Sequence, residues 1–474
     1  MADAQGSEFR SSVSTPTLEV DVLVIGWGKG GKTFAAAMAS QGKTVAMVEQ
    51  SSDMYGGTCI NIGCVPTKAL VHEASVRRRG DDPHTYFTEA VETRDQLIAK
   101  LNAVNFAMLN DRDLVTVVDG RARFVAEREV EVEPRGGGSG RAEHLRIVAE
   151  TVVINTGAVP VMPDLPGADG PRVHDSTSLQ HVRPFPKRLA IVGAGPIGLE
   201  FASMFQQFGS QVTLLVRGER ILPREDADVA GAVASVLTES GIEIRTNTEP
   251  TSFEDGDSEV VVRLDGGSAL AADAVLLATG RRPATDDLNL AAAGVDIDAR
   301  GAVVVDDQLR TTAAGVYAMG DVRGGLQQTF ISLDDYRVVL DAVSGSGERR
   351  VSDRVGVPST VFITPPFSSV GMTEGEATEQ GHRVKTAFAQ VVDVKAMPRP
   401  KTLRDARGII KFVVDAETDK VFGARLFHVD SQEVINLVAL AMRAGVTASE
   451  LRDGIWTHPS STEALNEVLG QLRE

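Results

Sequence analysis

The stretch EVDVLVIGWGKGGKTFAAAMASQGKTVAMVEQ, residues 19–50, decides the fold. An apolar run (VDVLVI) enters a glycine turn, an alanine-rich segment follows, and a second apolar run (TVAMVE) ends in an acid. That order predicts strand, helix and strand, a βαβ unit with its two strands parallel. Gly26, Gly28 and Gly31 fit the spacing GxGxxG, and Glu49 stands 18 residues after the last of them. Glycines permit the tight turn and let a pyrophosphate approach the helix N-terminus, while a carboxylate at the end of the second strand can accept hydrogen bonds from ribose hydroxyls. The same glycines would also serve close packing of strand on helix. The acid in register is what favours a dinucleotide.

RLAIVGAGPIGLEFASMFQQFGSQVTLLVR, residues 188–217, repeats the pattern about 170 residues later, with Gly193, Gly195 and Gly198 in the same spacing. Its second strand ends at Val216, where a ribose-binding acid would stand, and Arg217 comes next with Arg220 and Arg224 nearby. Loss of the acid with gain of arginine suits a 2′-phosphate and favours NADPH over NADH, against the plainer reading of a solvated basic loop. Two such units predict two nucleotide-binding folds. Between them a helical region follows residue 64, then strands around VEVEPRGGGSGRAEHLRIVAE, whose Gly-rich centre reads as a hairpin tip. GSGERRVSDRVG, residues 345–356, reads as a linker to a last section of mixed strands and helices.

The chain of 474 residues is long enough for about three domains, and 42% apolar content is ordinary for a globular protein. Its 48 basic against 65 acidic side chains, a net charge of −17, oppose binding to nucleic acid or an anionic membrane surface. No apolar run approaches the ~18 residues of a membrane span, and the first residues carry no apolar signal segment, so a cytoplasmic protein is expected.

The only two cysteines, Cys59 and Cys64, fall within YGGTCINIGCVPTK, residues 55–68. A close pair in a reducing compartment is catalytic or metal-binding more often than structural. On a regular helix, positions five apart lie roughly 8–9 Å apart at Cα and point about 140° away from each other, too far for a disulfide. Gly57 and Gly63 loosen the backbone, and Pro66 suits the first turn of a helix, which places Cys64 near a helix N-terminus. The positive dipole end there favours the thiolate of Cys64 and leaves Cys59 as the outer, attacking thiol. Two unrelated thiols remain an alternative. Half a zinc site is another, although it would need two further ligands from a chain with 8 histidines and no third cysteine. In WTHPSSTEALNE, His458 stands five residues before Glu463, a spacing that allows a carboxylate to fix an imidazole for proton transfer; a histidine before proline can equally be structural.

GGTCINIGCVPTK, the two GxGxxG units, VVINTGAVP (152–160), LLATGRRP (276–283), GVYAMGD (315–321) and HPSSTE (458–463) occur in one order along the chain. Together they resemble the class I pyridine nucleotide-disulfide oxidoreductases over roughly residues 18–470. The resemblance implies an α/β protein with two Rossmann-like dinucleotide-binding domains, for FAD and NAD(P)H, plus a C-terminal α+β interface domain that makes a homodimer. It divides the chain into a disordered tail (1–17), an FAD domain (18–157 and 284–350), an NAD(P)H domain (158–283) and an interface domain (351–474). It implies a redox-active disulfide between Cys59 and Cys64, reduced through FAD at the expense of NADPH. Lys68 and Glu200 would form an ion pair beside the flavin, and Asp321 would bind its ribityl or phosphate region. Gly57, Thr58, Thr156, Gly157, Gly280 and Gly320 join Lys68, Arg217, Glu49 and the six loop glycines as cofactor-binding positions. His458 and Glu463 would act on the Cys59 side of the other subunit's site.

Within the family, residues 324–339, 361–374 and 429–438 look most like the reactive-chlorine-resistance flavoprotein branch, which is linked to reduction of copper(II) and of hypothiocyanous acid. Ala36 stands where glutathione reducers carry a substrate-binding arginine, and Trp456 stands where lipoamide dehydrogenases carry a further histidine. Pro196 replaces a tyrosine that gates the nicotinamide pocket in some members. No C-terminal cysteine pair exists to relay electrons to mercuric ion or thioredoxin. The expected substrate is therefore a small thiol-reactive oxidant, or a metal ion met by Cys59 and Cys64, with no other metal site. The alternatives are a dihydrolipoyl dehydrogenase or mercuric reductase and, from another class, a flavin-loaded redox sensor with little turnover.

Overall fold

The computed structural model describes residues 15–134 and 144–474. The Gly-rich tip expected between the strands around residue 140, and most of the tail expected at the N-terminus, lie outside the described residues. The first expected βαβ unit is present as strand β1 (Thr17–Ile25), helix α1 (Lys29–Ser40) and strand β2 (Val45–Glu49). Then come a short helix α2 (Gly57–Asn61), α3 (Cys64–Val76), the long α4 (Pro83–Asn110), and strands β3 (Val115–Ala126), β4 (Glu129–Pro134) and β5 (Leu145–Ile154).

The chain divides into two compact units. The first gathers the described residues up to Asn61, Ile98–Val159 and Arg282–Ser352; the second gathers Ile62–Leu97, Pro160–Arg281 and Asp353–Glu474. In the first unit β3, β2, β1, β5 and the strand Val316–Ala318 run parallel in that order, and β4 pairs antiparallel with both β3 and β5. The period-two alternation of a strand explains how β1 serves two cores. Val22 and Val24 pack with Phe34 and Met38 of α1, while Leu23 and Ile25 pack with Phe124, Ile147 and Ile154 on the other side. Each such buried side chain contributes roughly 1.5–3 kcal/mol before chain entropy is subtracted.

In the second unit a five-stranded parallel sheet runs Glu243–Arg245, Gln211–Leu215, Arg188–Val192, Ala274–Leu277, Val173–His174. Helix α5 (Pro196–Phe208) follows Arg188–Val192 and stops at Gly209, whose φ of 110° is open to glycine at no steric cost. Aromatic packing gathers this unit: Phe87 of α4 lies 5.5 Å from Phe205 and 5.1 Å from Phe208, centroid to centroid. The last section is an antiparallel sheet in the order Pro358–Val361, Phe367–Gly371, Val421–Phe427, Ile409–Asp415, Val384–Gln390, with helix Ser431–Ala444 laid on its apolar face. Among the described residues no helix is long and apolar enough to cross a membrane.

Candidate active site

The two glycine turns are built differently. In the first, the end of β5 presses against the loop. A Cβ on Gly26 would come within 2.5 Å of the Asn155 carbonyl oxygen, and one on Gly28 or Gly31 would strike the Asn155 side chain. Asn155 is buried; its Oδ1 accepts from the Gly31 N–H (2.9 Å) and its Nδ2 donates to the Met319 carbonyl (2.7 Å). Glu49 ends β2 with Oε2 accepting from Trp27 N (2.9 Å) and Oε1 from Ser51 N (3.2 Å). Burial raises its pKa despite these donors. A carboxylate offers about four lone-pair sites, so acceptor capacity for ribose hydroxyls remains.

In the second turn, Cβ atoms on Gly193 and Gly198 would meet the Ala278 carbonyl and the Gly193 carbonyl, but one on Gly195 would meet nothing within 4 Å. Gly195 caps the N-terminus of α5 with φ −74° and ψ 177°, so neither packing nor strain requires a glycine there. A bare backbone at a helix N-terminus suits an approaching phosphate. Val216 is buried, whereas the Arg217 side chain is 86% exposed, 3.2 Å from Glu249. Both loops therefore fit dinucleotides: the first carries a carboxylate at its strand end, the second an arginine.

Cys59 lies half-buried in α2 and Cys64 is exposed as the first residue of α3, with Gly63 as N-cap at φ −114° and ψ −107°. The helix is thus broken between the two thiols, as the glycines and proline predict. One turn on, Lys68 Nζ lies 2.6 Å from Glu200 Oε2 and 4.9 Å from the centroid of Phe362; Glu200 Oε1 accepts from the Phe362 N–H at 3.0 Å. The buried Glu200 carboxylate is satisfied at both oxygens.

His458 Nδ1 and Glu463 Oε1 are 2.8 Å apart, and Glu463 Oε2 accepts from Ser460 N at 2.8 Å. Burial pushes the Glu463 carboxyl up, but the imidazole and the Ser460 N–H outweigh it and the net shift is downward. An ionised carboxylate only accepts, so Nδ1 carries the proton and Nε2 of the neutral ring is left able to take one. The imidazole is 72% exposed, three residues after the fully exposed Ile455.

Gly320 has φ 74°, and its N–H donates to Asp335 Oδ2 (2.7 Å); Arg323 grips the same fully buried carboxylate at 2.8 and 3.0 Å. This clamp shapes the half-buried turn that carries Asp321. Thr156 Oγ1 donates to Ala284 O (2.8 Å); Gly157 takes φ 76°, with Thr58 Oγ1 3.8 Å from where its Cβ would lie, and Gly280 takes φ 119°. Gly57 takes φ 75° against Gly28. Sequence reasoning missed Asn155, Asp335 and Lys32. Only Lys32 left a signal, a lysine in an alanine-rich helix that also carries Lys29 and Thr33. Among the described residues no cluster of three or more His, Cys, Asp or Glu could hold a metal ion.

Two turns that fit dinucleotides, two thiols on either side of a helix break and a carboxylate-held histidine are the parts that a nucleotide-driven dithiol oxidoreductase needs. The chain belongs to the pyridine nucleotide-disulphide oxidoreductases: residues 20–335 match that family's model, and residues 357–469 match its dimerisation domain. Membership brings a flavin and a pyridine nucleotide as cofactors. The chain is 44% identical over 452 residues to the probable pyridine nucleotide-disulfide oxidoreductase RclA of Escherichia coli strain K12, covering 95% of this chain and 99% of that one. Its fold matches a solved Cu(II) complex of the HOCl-induced flavoprotein disulfide reductase RclA from Escherichia coli with a TM-score of 0.90 at 44% identity, covering 96% of this chain and 99% of the other. A mercuric reductase of Bacillus cereus is 33% identical over 477 residues, covering 97% of this chain and 73% of its own.

Proposed function

We propose that the chain works as a homodimer that favours NADPH and reduces a small thiol-reactive oxidant, such as hypothiocyanous acid, or a metal ion such as Cu(II), through Cys59 and Cys64. The observation that carries this reading is the assembled His458–Glu463 pair. Its proton acceptor is held at 2.8 Å by a carboxylate yet left 72% exposed, on a section whose surface also bears Ile455, Val392 and Leu440. An acid-base group left exposed on a section that also exposes apolar side chains suits a surface that a second copy covers. The family's dimerisation domain spans this section.

In this reading residues 18–157 and 284–350 hold FAD, residues 158–283 hold NADPH, and residues 351–474 form the interface. When bound, FAD and NADPH supply hydride transfer and deliver two electrons to the disulfide. Glu49 takes ribose hydroxyls, Arg217 takes the 2′-phosphate, and the Lys68–Glu200 pair fixes a positive charge one turn after Cys64. Nε2 of His458 of the partner subunit takes the Cys59 thiol proton; the Cys59 thiolate attacks the sulfur of hypothiocyanous acid, an S–S bond forms, and hydroxide leaves and takes that proton as water. Cys64 thiolate then attacks Cys59 sulfur, thiocyanate leaves, and the disulfide is restored. With Cu(II) as substrate, two ions each take one electron per dithiol oxidised. The relatives' copper complex and HOCl induction support this choice of substrates.

The test is a side-by-side panel on the FAD-loaded protein: NADPH or NADH with hypothiocyanite, Cu(II), Hg(II), lipoamide and glutathione disulfide. Turnover of hypothiocyanite or Cu(II) with NADPH is expected, and its loss in Cys59→Ser with flavin retained. Rapid lipoamide turnover with NADH would overturn both substrate and coenzyme.

A further inference from the structure

Lys32 has no task in the chemistry above, yet its placement is costly. It is 5% exposed, and its Nζ donates to Asn105 Oδ1 on α4; Asn105 is itself held by Nδ2 on the Leu101 carbonyl at 2.7 Å. Among the described residues no carboxylate lies in ion-pairing range of it. A buried ammonium without a counter-charge is strongly disfavoured. Burial first, and Lys29 second, pull the Lys32 pKa down to about 8, and Cys59 is the group that acts the other way.

The backbone places Cys59 between the two helices that supply Lys32 and Asn105. Helix α2 is only five residues long and is pinned at both ends. At its start, the Cβ position of Gly57 lies 2.8 Å from Gly28 Cα, and that of the preceding Gly56 lies 3.1 Å from Asn105 Cγ. At its end, Asn61 Oδ1 accepts from Asn102 Nδ2 of α4 at 3.1 Å, while Asn61 Nδ2 donates back to the Tyr55 and Gly57 carbonyls, both at 3.0 Å. Cys59 therefore sits at the middle of a turn wedged between the glycine loop that starts α1 and the face of α4, the two helices that supply Lys32 and Asn105. The charged or titratable groups acting on Lys32 are Lys29 from α1 and Cys59 from α2; α4 contributes the neutral Asn105.

We propose that Lys32, oriented by Asn105, is the counter-ion of the Cys59 thiolate, a positioning residue that keeps positive charge beside the sulfur that meets the substrate. The proposal rests on the dithiol reading given above. The thiolate is the nucleophile, and a neighbouring opposite charge favours it. Cys64 gains the same assistance from the start of α3, so each thiol has its own source of positive potential.

The experiment uses the FAD-loaded protein carrying Cys64→Ser, so that Cys59 is the sole thiol, in chelator-containing buffer. Alkylation by iodoacetamide is followed across pH with Lys32 intact, Lys32→Met and Lys32→Arg. Lys32→Met should alkylate roughly tenfold more slowly near pH 7, with its midpoint moved upward, and Lys32→Arg should recover most of the rate. Asn105→Ala, which keeps the charge but removes its tether, should give a smaller slowing and serves if Lys32→Met does not fold. Equal rates and midpoints for Lys32→Met and the parent overturn the proposal, as does an arginine variant as slow as the methionine one. Retained NADPH-driven turnover in Cys59→Ser would instead overturn the dithiol reading, whatever alkylation shows.

Discussion

Glu463→Gln separates the acid-base role of the histidine from its structural one. Glutamine is isosteric, so its Oε1 can still accept from Ser460 N, which Glu463 now holds at 2.8 Å. Its amide nitrogen then faces His458 Nδ1, and since that nitrogen only donates, the imidazole must accept there and carry its proton on Nε2. The ring keeps its place and loses its function. Because His458 is 72% exposed, its pairing with the carboxylate is worth at most about 0.5 kcal/mol of stability after solvent screening. The loss of a positioned proton acceptor costs far more in rate, roughly 10²–10³ in kcat. Steady-state NADPH consumption with hypothiocyanite should fall by that factor, while flavin reduction by NADPH alone and the melting temperature stay unchanged. The pH dependence has a definite sign. The Glu463 pKa lies below its ordinary 4.5, so its stabilising contribution is present above that value and lost as pH falls through the depressed one. Parent and variant should therefore differ in activity throughout neutral pH and converge only in acid. A rate loss matched by a comparable loss of thermal stability would refute the tautomer argument, as would an unaltered rate.

Reversing the exposed charge in Arg217→Glu should raise KM for NADPH tenfold or more and leave that for NADH little changed; equal effects on both coenzymes would sink the 2′-phosphate assignment. Gly195→Ala adds a Cβ where nothing lies within 4 Å, so the melting temperature should hold while the NADPH KM rises, whereas Gly28→Ala drives a Cβ into the Asn155 side chain and should lower stability. Lys411, 3% exposed, is bonded to Asp226 at 3.0 Å and to Asp228 and Glu374 at 2.8 Å. Burial opposes its charge, but the three carboxylates prevail and raise its pKa, while Lys411 and two backbone N–H groups outweigh burial to lower that of Asp226. Lys411→Met should cost about 2 kcal/mol at neutral pH, a buried-pair loss discounted for the partly exposed partners. Denaturant melts should show the gap narrowing as pH falls below 3.8, the ordinary aspartate value, because Asp226 contributes only while ionised.

The parts of this molecule written in local sequence were readable, and the parts written in contacts were not. Alternating strand burial, glycine turns and an acid at a fixed distance place β1, α1, β2 and Glu49, since each is decided within about thirty residues. Cys64 falls at a helix start because Gly63 and Pro66 are its neighbours. Asn155 and Asp335 escaped because their work is done on Gly31, Met319, Gly320 and Arg323, partners brought together by the sheet. The placement of residues 62–97 with the second unit depends on Phe87 meeting Phe205 and Phe208, which no local pattern encodes. Lys32 was visible but misleading: charge suggests a solvated face, and only the fold shows the side chain buried.

The two glycine fingerprints, alike in sequence, then carry different information. In the first turn all three glycines are demanded by the end of β5, whose Asn155 would collide with any side chain there, so their presence follows from packing even without a ligand. In the second, packing explains Gly193 and Gly198 but leaves Gly195 facing open space at an ordinary φ. A glycine that the protein itself does not need is informative about what the protein meets. The bare N-terminus of α5 thus supports a phosphate directly, whereas the first turn supports one only through Glu49 and the family to which the chain belongs.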